Sequence, residues 1–80
     1  MASKHLIQRN KVCFGRVDFT FREFRILKLV ARGLKNKEVA PKVGLSYYTL
    51  KNYLGVIYEK TGHSDRVSLA LWYERNSLLI

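Results

Sequence analysis

Between residues 46 and 55 the chain gathers hydroxyls, a cation and a carboxamide at helical spacing: Ser46, Tyr47, Tyr48, Thr49, Lys51 and Asn52, followed by Gly55. Tyr48, Lys51, Asn52, Gly55 and Glu59 fall on one helix face, opposite Leu50, Leu54, Ile57 and Tyr58. Lys51 offers a cation, Asn52 an amide able to pair with a base edge, and Tyr48 a hydroxyl and a ring. Ser46 and Thr49, with the free amides of a helix N-terminus, suit a phosphate. The chemistry is non-covalent recognition of a polyanion. Gly55 either permits close approach of a duplex or is a tolerated weak spot in the helix.

Those groups need a scaffold, and residues 36–53 supply one. Asn36 to about Val43 reads as a short helix with Val39, Ala40 and Val43 on its apolar face. Gly44 provides the positive φ that ends it, Leu45 plugs the turn, and Ser46 caps a longer helix running to about Lys60. Helix, glycine-containing turn and capped helix make a helix-turn-helix. Pro41 conflicts with its neighbours, because inside a helix it removes the donor for the carbonyl of Lys37. The cost falls if the helix starts late and Pro41 lies in its first turn.

Upstream, Thr20-Phe21-Arg22-Glu23 is a capping box, with Phe19 and Phe24 placed as a hydrophobic staple. Leu27, Val30, Ala31 and Leu34 then repeat as one buried stripe, and Gly33 sits where a left-handed cap belongs. Downstream, Ser64 and Asp65 open a fourth helix containing Leu69, Ala70, Leu71, Trp72 and Tyr73. Five consecutive nonpolar or aromatic residues cover more than one face. One face serves the core and another is left for a partner, unless the helix is simply wedged deep in the core. Residues 1–18 are either a short extended segment around Val12, Phe14, Gly15 and Val17, or a lead-in linker that tucks an aromatic under the domain.

Eighty residues allow one domain with a small core. Fifteen Lys and Arg against six Asp and Glu leave a net charge of +9. The excess lies in the first three-quarters, since residues 61–80 balance Arg66 and Arg75 against Asp65 and Glu74. A polyanionic partner is the natural inference, with a basic surface kept for solubility as the rival reading. Catalysis is disfavoured: His5 and His63 are isolated turn or solvent-facing residues, Glu23 and Glu38 are structural, and no Gly-rich phosphate loop is present. Cys13 is the single cysteine and reads as a small, partly buried apolar residue. No metal site, cofactor, signal peptide or membrane span is visible, which fits a protein of a reducing cytoplasm.

Several separated motifs resemble one family. Thr20-Phe21-Arg22-Glu23, Asn36-Lys37-Glu38-Val39-Ala40, Leu45-Ser46, Thr49-Leu50-Lys51, Ile57-Tyr58-Glu59-Lys60-Thr61-Gly62 and Arg66 with Leu69-Ala70-Leu71-Trp72 occur in order. They are similar to the LuxR-type DNA-binding domain of bacterial transcription regulators, as in NarL, FixJ and GerE. The resemblance covers about residues 19–79. It implies an all-α, tetrahelical helix-turn-helix fold over residues 19–80, behind the lead-in of residues 1–18. It also implies double-stranded DNA as partner, the third helix in the major groove, and contact with or obstruction of RNA polymerase. The expected DNA-binding residues are Lys35, Lys37, Ser46, Tyr47, Tyr48, Thr49, Lys51, Asn52 and Gly55. A homodimer through the fourth helix would use Leu69, Leu71 and Tyr73 and set the recognition helices ~34 Å apart.

The chain departs from the family pattern at several points. Arg25 replaces a frequent Glu, so a common internal ion pair is in doubt. Lys35 replaces a capping Ser, losing ~1 kcal/mol but adding a cation. Tyr53 replaces a His or Arg, and Tyr47-Tyr48 is an unusual pair expected to alter which bases are read. Two other readings remain open: a sigma-factor region-4-like domain, and a helix-turn-helix module that binds an acidic protein. Also open is whether the chain is a stand-alone regulator or a fragment of a larger one.

Overall fold

Two short runs of alternating residues, Lys11–Phe14 (β1) and Val17–Thr20 (β2), pair as an antiparallel hairpin. The computed structural model describes residues 11–78 of the chain, and the expectation for His5 lies outside them. The register sets Val12 opposite Phe19 and Phe14 opposite Val17. Gly15 and Arg16 form the two-residue loop with φ of 60° and 65°, the primed turn that matches strand twist. A Cβ on Gly15 would sit 2.5 Å from Cζ2 of Trp72, so glycine is required there twice over. Phe14 and Phe19 are buried. The extended alternative for this segment is realised as a hairpin, and the hairpin also tucks Phe14 into the core, as the lead-in alternative expects. Cys13 is exposed, not partly buried, because it points away from the face that carries Val12 and Phe14 into the core.

Four helices follow: α1 Phe21–Ala31, α2 Asn36–Lys42, α3 Tyr47–Thr61 and α4 Arg66–Ser77. The capping box of α1 is complete, with the Glu23 amide donating to Thr20 Oγ1 at 3.1 Å and the Thr20 amide to Glu23 Oε1 at 2.9 Å. Phe19 and Phe24 stand 6.1 Å apart between ring centroids, as a staple requires. Helix α1 ends in a Schellman motif: Gly33 (φ 92°) donates to the Val30 carbonyl and Leu34 to that of Leu29. Its buried face holds Ile26 as well as Leu27 and Val30, whereas Ala31 and Leu34 are only half-buried.

Helix α2 begins at Asn36, so Pro41 falls in its last turn, not its first. Proline has no N–H, which leaves the Lys37 carbonyl without its donor four residues on. The helix ends one residue later at Lys42. A lysine side chain has no acceptor, so Lys35 caps α2 only through its backbone. Its amide donates to Glu38 Oε1 at 2.7 Å.

The core joins all the elements. Phe14, Phe19, Ile26, Leu27, Val30, Val39, Ala40, Val43, Leu50, Leu54, Ile57 and Leu69 form one buried cluster. Helix α1 packs on α3 and α4, and α2 on α3. Phe14 lies 5.0 Å from the Tyr73 ring and 5.6 Å from Trp72, between centroids, so the hairpin seals one side of α4. Arg66 ties the start of α4 to the α1–α2 loop by donating to Asn36 Oδ1 (2.6 Å) and to the Leu34 carbonyl (2.5 Å).

Candidate nucleic-acid interface

The α2–α3 turn fixes how α3 leaves the body of the domain. Gly44 (φ 70°) donates to the Pro41 carbonyl and Leu45 to that of Ala40, a second Schellman motif. Leu45 packs against the core. Ser46 then accepts the Thr49 amide at 3.1 Å, and its own hydroxyl donates to Thr49 Oγ1 at 3.0 Å. The cap thus uses Ser46 fully, and Thr49 is half-buried behind it. Helix geometry leaves the amides of Tyr47 and Tyr48 without intrahelical acceptors at that end.

Leu50, Leu54 and Ile57 bury the inner face of α3. The outer face presents Tyr48, Lys51, Asn52, Gly55 and Glu59, all exposed, as the periodicity predicts. Tyr48 is 74% exposed, unusual for an aromatic on a helix with a core so close. Lys51 Nζ lies 5.8 Å from the Tyr47 ring centroid, a cation–π contact one turn apart that holds the ammonium outward. That contact was not anticipated, although the i, i+4 spacing of Tyr47 and Lys51 signals it. Tyr53 is half-buried and packs on the core, so it is not on the outer face.

Lys35, Asn36, Lys37, Tyr47 and Arg66 line one shallow basic recess beside the start of α3. Lys35 and Lys37, expected from sequence, are therefore brought to Tyr47. Asn52 and Gly55 line a second hollow with Val56, Glu59 and His63. His63 occupies the α3–α4 loop, half-buried, 6.0 Å from the Trp72 ring.

The far end of α3 is tied down instead. Lys60 Nζ donates to Glu23 Oε1 at 2.6 Å and to the Asp18 carbonyl at 2.9 Å, with the Phe19 ring 5.8 Å away. Burial pushes the Glu23 carboxyl up, but Lys60 and the Thr20 amide outweigh it and hold it below the ordinary glutamate value. Arg25 is exposed and does not enter this pair. Asp65 caps α4 by accepting the Ser68 amide at 2.9 Å, and that bond, with the Ser68 hydroxyl, lowers its pKa.

Helix α4 divides differently from the expectation. Leu69 is fully buried and belongs to the core, so it cannot lie on a subunit surface. Tyr73 is half-buried, its ring stacked on Phe14, and it lines a shallow recess with Glu74, Ser77 and Leu78. Leu71 is exposed at 54%, and Val67, one turn earlier, at 71%. These two, with Val30, Ala31, Ala70 and Glu74, line a groove between α1 and α4. Val67 was missed, although its i, i+4 spacing to Leu71 marks the same face.

Residues 17–73 match the model of the family described as bacterial regulatory proteins, luxR family. The chain belongs to the LuxR family. It is 39% identical over 54 residues to Response regulator Rre1 of Synechocystis sp., covering 68% of this chain and 23% of that protein. It is 31% identical over 74 residues to Probable transcriptional regulator ycf29 of Cyanophora paradoxa (92% and 34%). Transcriptional regulatory protein LiaR of Bacillus subtilis is 37% identical over 62 residues (78% and 29%). No solved structure matches the chain. The LuxR-family chain spans about a quarter to a third of the length of these curated relatives. Among its described residues no helix is long and apolar enough to cross a membrane, and no three His, Cys, Asp or Glu gather as metal ligands.

Proposed function

We propose that this LuxR-family domain binds double-stranded DNA sequence-specifically in the cytoplasm and thereby regulates transcription. Helix α3 enters the major groove. Tyr48, Lys51 and Asn52 meet base edges, while Lys35, Lys37, Tyr47 and the amides at the start of α3 hold phosphates. Ser46 and Thr49 act by fixing that helix end. The single observation that carries this reading is the exposed outer face of α3. It carries a cation, a carboxamide and a 74% exposed tyrosine that the fold itself does not use. Membership of the family and the regulator names of its relatives support it.

The domain pairs with a second copy through the Val67–Leu71 strip of α4. That segment lies in the charge-balanced quarter of an otherwise basic chain, so two copies approach there with least repulsion. Selection of duplexes from a random pool tests both parts. The expected product is a duplex with two related half-sites one helical turn apart, ~34 Å. Binding should weaken steeply with salt as phosphate contacts release counterions. A pool that shows no enrichment even at low salt contradicts the reading.

A further inference from the structure

Two glycines of this chain stand against opposite backgrounds. At Gly15 the molecule itself demands the missing side chain, because a Cβ would strike Trp72 and φ is positive. At Gly55 nothing internal does. It lies inside the 15-residue helix α3, where glycine is the least favourable residue after proline. Its φ is not positive, and a Cβ built on it would meet no atom within 4 Å. Neither backbone conformation nor packing within the domain accounts for it.

Its position points outward. Gly55 lies on the same face as Tyr48 and Asn52, at the floor of the hollow rimmed by Asn52, Val56, Glu59 and His63. Seven residues separate it from Tyr48, two turns and ~10.5 Å along the axis. The face is thus tall at its N-terminal end and hollow at its middle. A duplex laid on it comes nearer to the helix backbone at Gly55 than any side chain would allow. The rim favours one part of the duplex. Glu59 repels a phosphate, whereas a carboxylate and a carboxamide suit the donors of base edges.

Resting on the DNA reading above, we propose that Gly55 is the point of closest approach between α3 and the base edges, a specificity-determining position that acts by lacking a side chain. Gly55→Ala and Gly55→Leu test it in the full chain. The probes are the duplex that the wild type enriches from a random pool and an unrelated duplex of equal length. Thermal melting accompanies each titration. Both replacements are better helix formers in open space, so the melting temperature rises, by roughly 4–8 °C for alanine. The dissociation constant for the enriched duplex rises about tenfold for alanine and further for leucine, the scale of one lost base contact. Affinity for the unrelated duplex stays unchanged.

Wild-type affinity in both variants overturns the inference while leaving the DNA reading intact. Equal losses on both duplexes overturn it too, since the close contact would then be with the backbone. A lowered melting temperature for alanine assigns Gly55 a structural role instead. A wild type that enriches no duplex overturns the DNA reading and this inference together.

Discussion

Helix α3 carries a lysine toward each end, and the two are used in opposite ways. Lys60 is spent inside the molecule: it bonds Glu23 and the Asp18 carbonyl and lies over Phe19. It joins the hairpin, α1 and α3 at one point. Lys51 touches only the Tyr47 ring among these partners and faces outward. The same residue type on the same helix is structural at one end and reserved at the other. What decides is the neighbour. A carboxylate with 9% side-chain exposure makes Lys60 part of the fold, while an aromatic ring orients Lys51 without neutralising it. Lys51 keeps its charge available because Glu23 pairs with Lys60 at the other end of the helix.

Substitutions around the anchored end of α3 should have the largest effects. Gly15→Ala forces a methyl into Trp72 and a side chain into positive φ, and should cost about 2–4 kcal/mol in a chemical denaturation series. Glu23→Gln should cost about 2 kcal/mol by removing a charge-assisted pair. It also carries a pH signature. The folded carboxyl titrates below its unfolded value, so its stabilisation is complete above about pH 4.3 and is lost as pH falls through the folded value. The stability of the wild type should therefore fall off in acid more steeply than that of Glu23→Gln. Parallel curves would remove the pair from the account.

Smaller effects sharpen the other end. Ser46→Ala should destabilise by about 1 kcal/mol, because the Thr49 amide loses its acceptor. Binding should weaken with it as the start of α3 frays. Leu71→Glu should change monomer stability by less than about 0.5 kcal/mol, since the side chain is exposed. Sedimentation should nonetheless report a loss of self-association, and unchanged sedimentation would remove the α4 interface.

Local signals made much of this legible. The capping box at Thr20 and Glu23, the turn at Gly44 and the cap at Ser46 are each written within a few residues, and each is realised. The outer face of α3 follows from helical period alone. What was not legible depends on distant partners. The hairpin strands are four residues each, and their turn places Arg16 at positive φ, a conformation its sequence does not announce. Lys60 and Glu23 are 37 positions apart, so neither names the other. The faces of α4 were misdivided for the same reason. Leu69 is interior and Tyr73 half-covered because α1 and the hairpin pack on α4, and that leaves Val67 and Leu71 outside.

The most direct measurement sets the two lysines against each other. Lys51→Ala and Lys60→Ala are compared by melting temperature and by affinity for the wild type's enriched duplex across a salt series. Lys51→Ala should melt like the wild type, bind roughly tenfold or more weakly, and lower the salt slope by about one if it meets phosphate or relax one base position if it meets a base. Lys60→Ala should melt lower and, where still folded, bind like the wild type. Equal losses of binding and stability in both variants would contradict the division of α3 into an anchored end and a reading end.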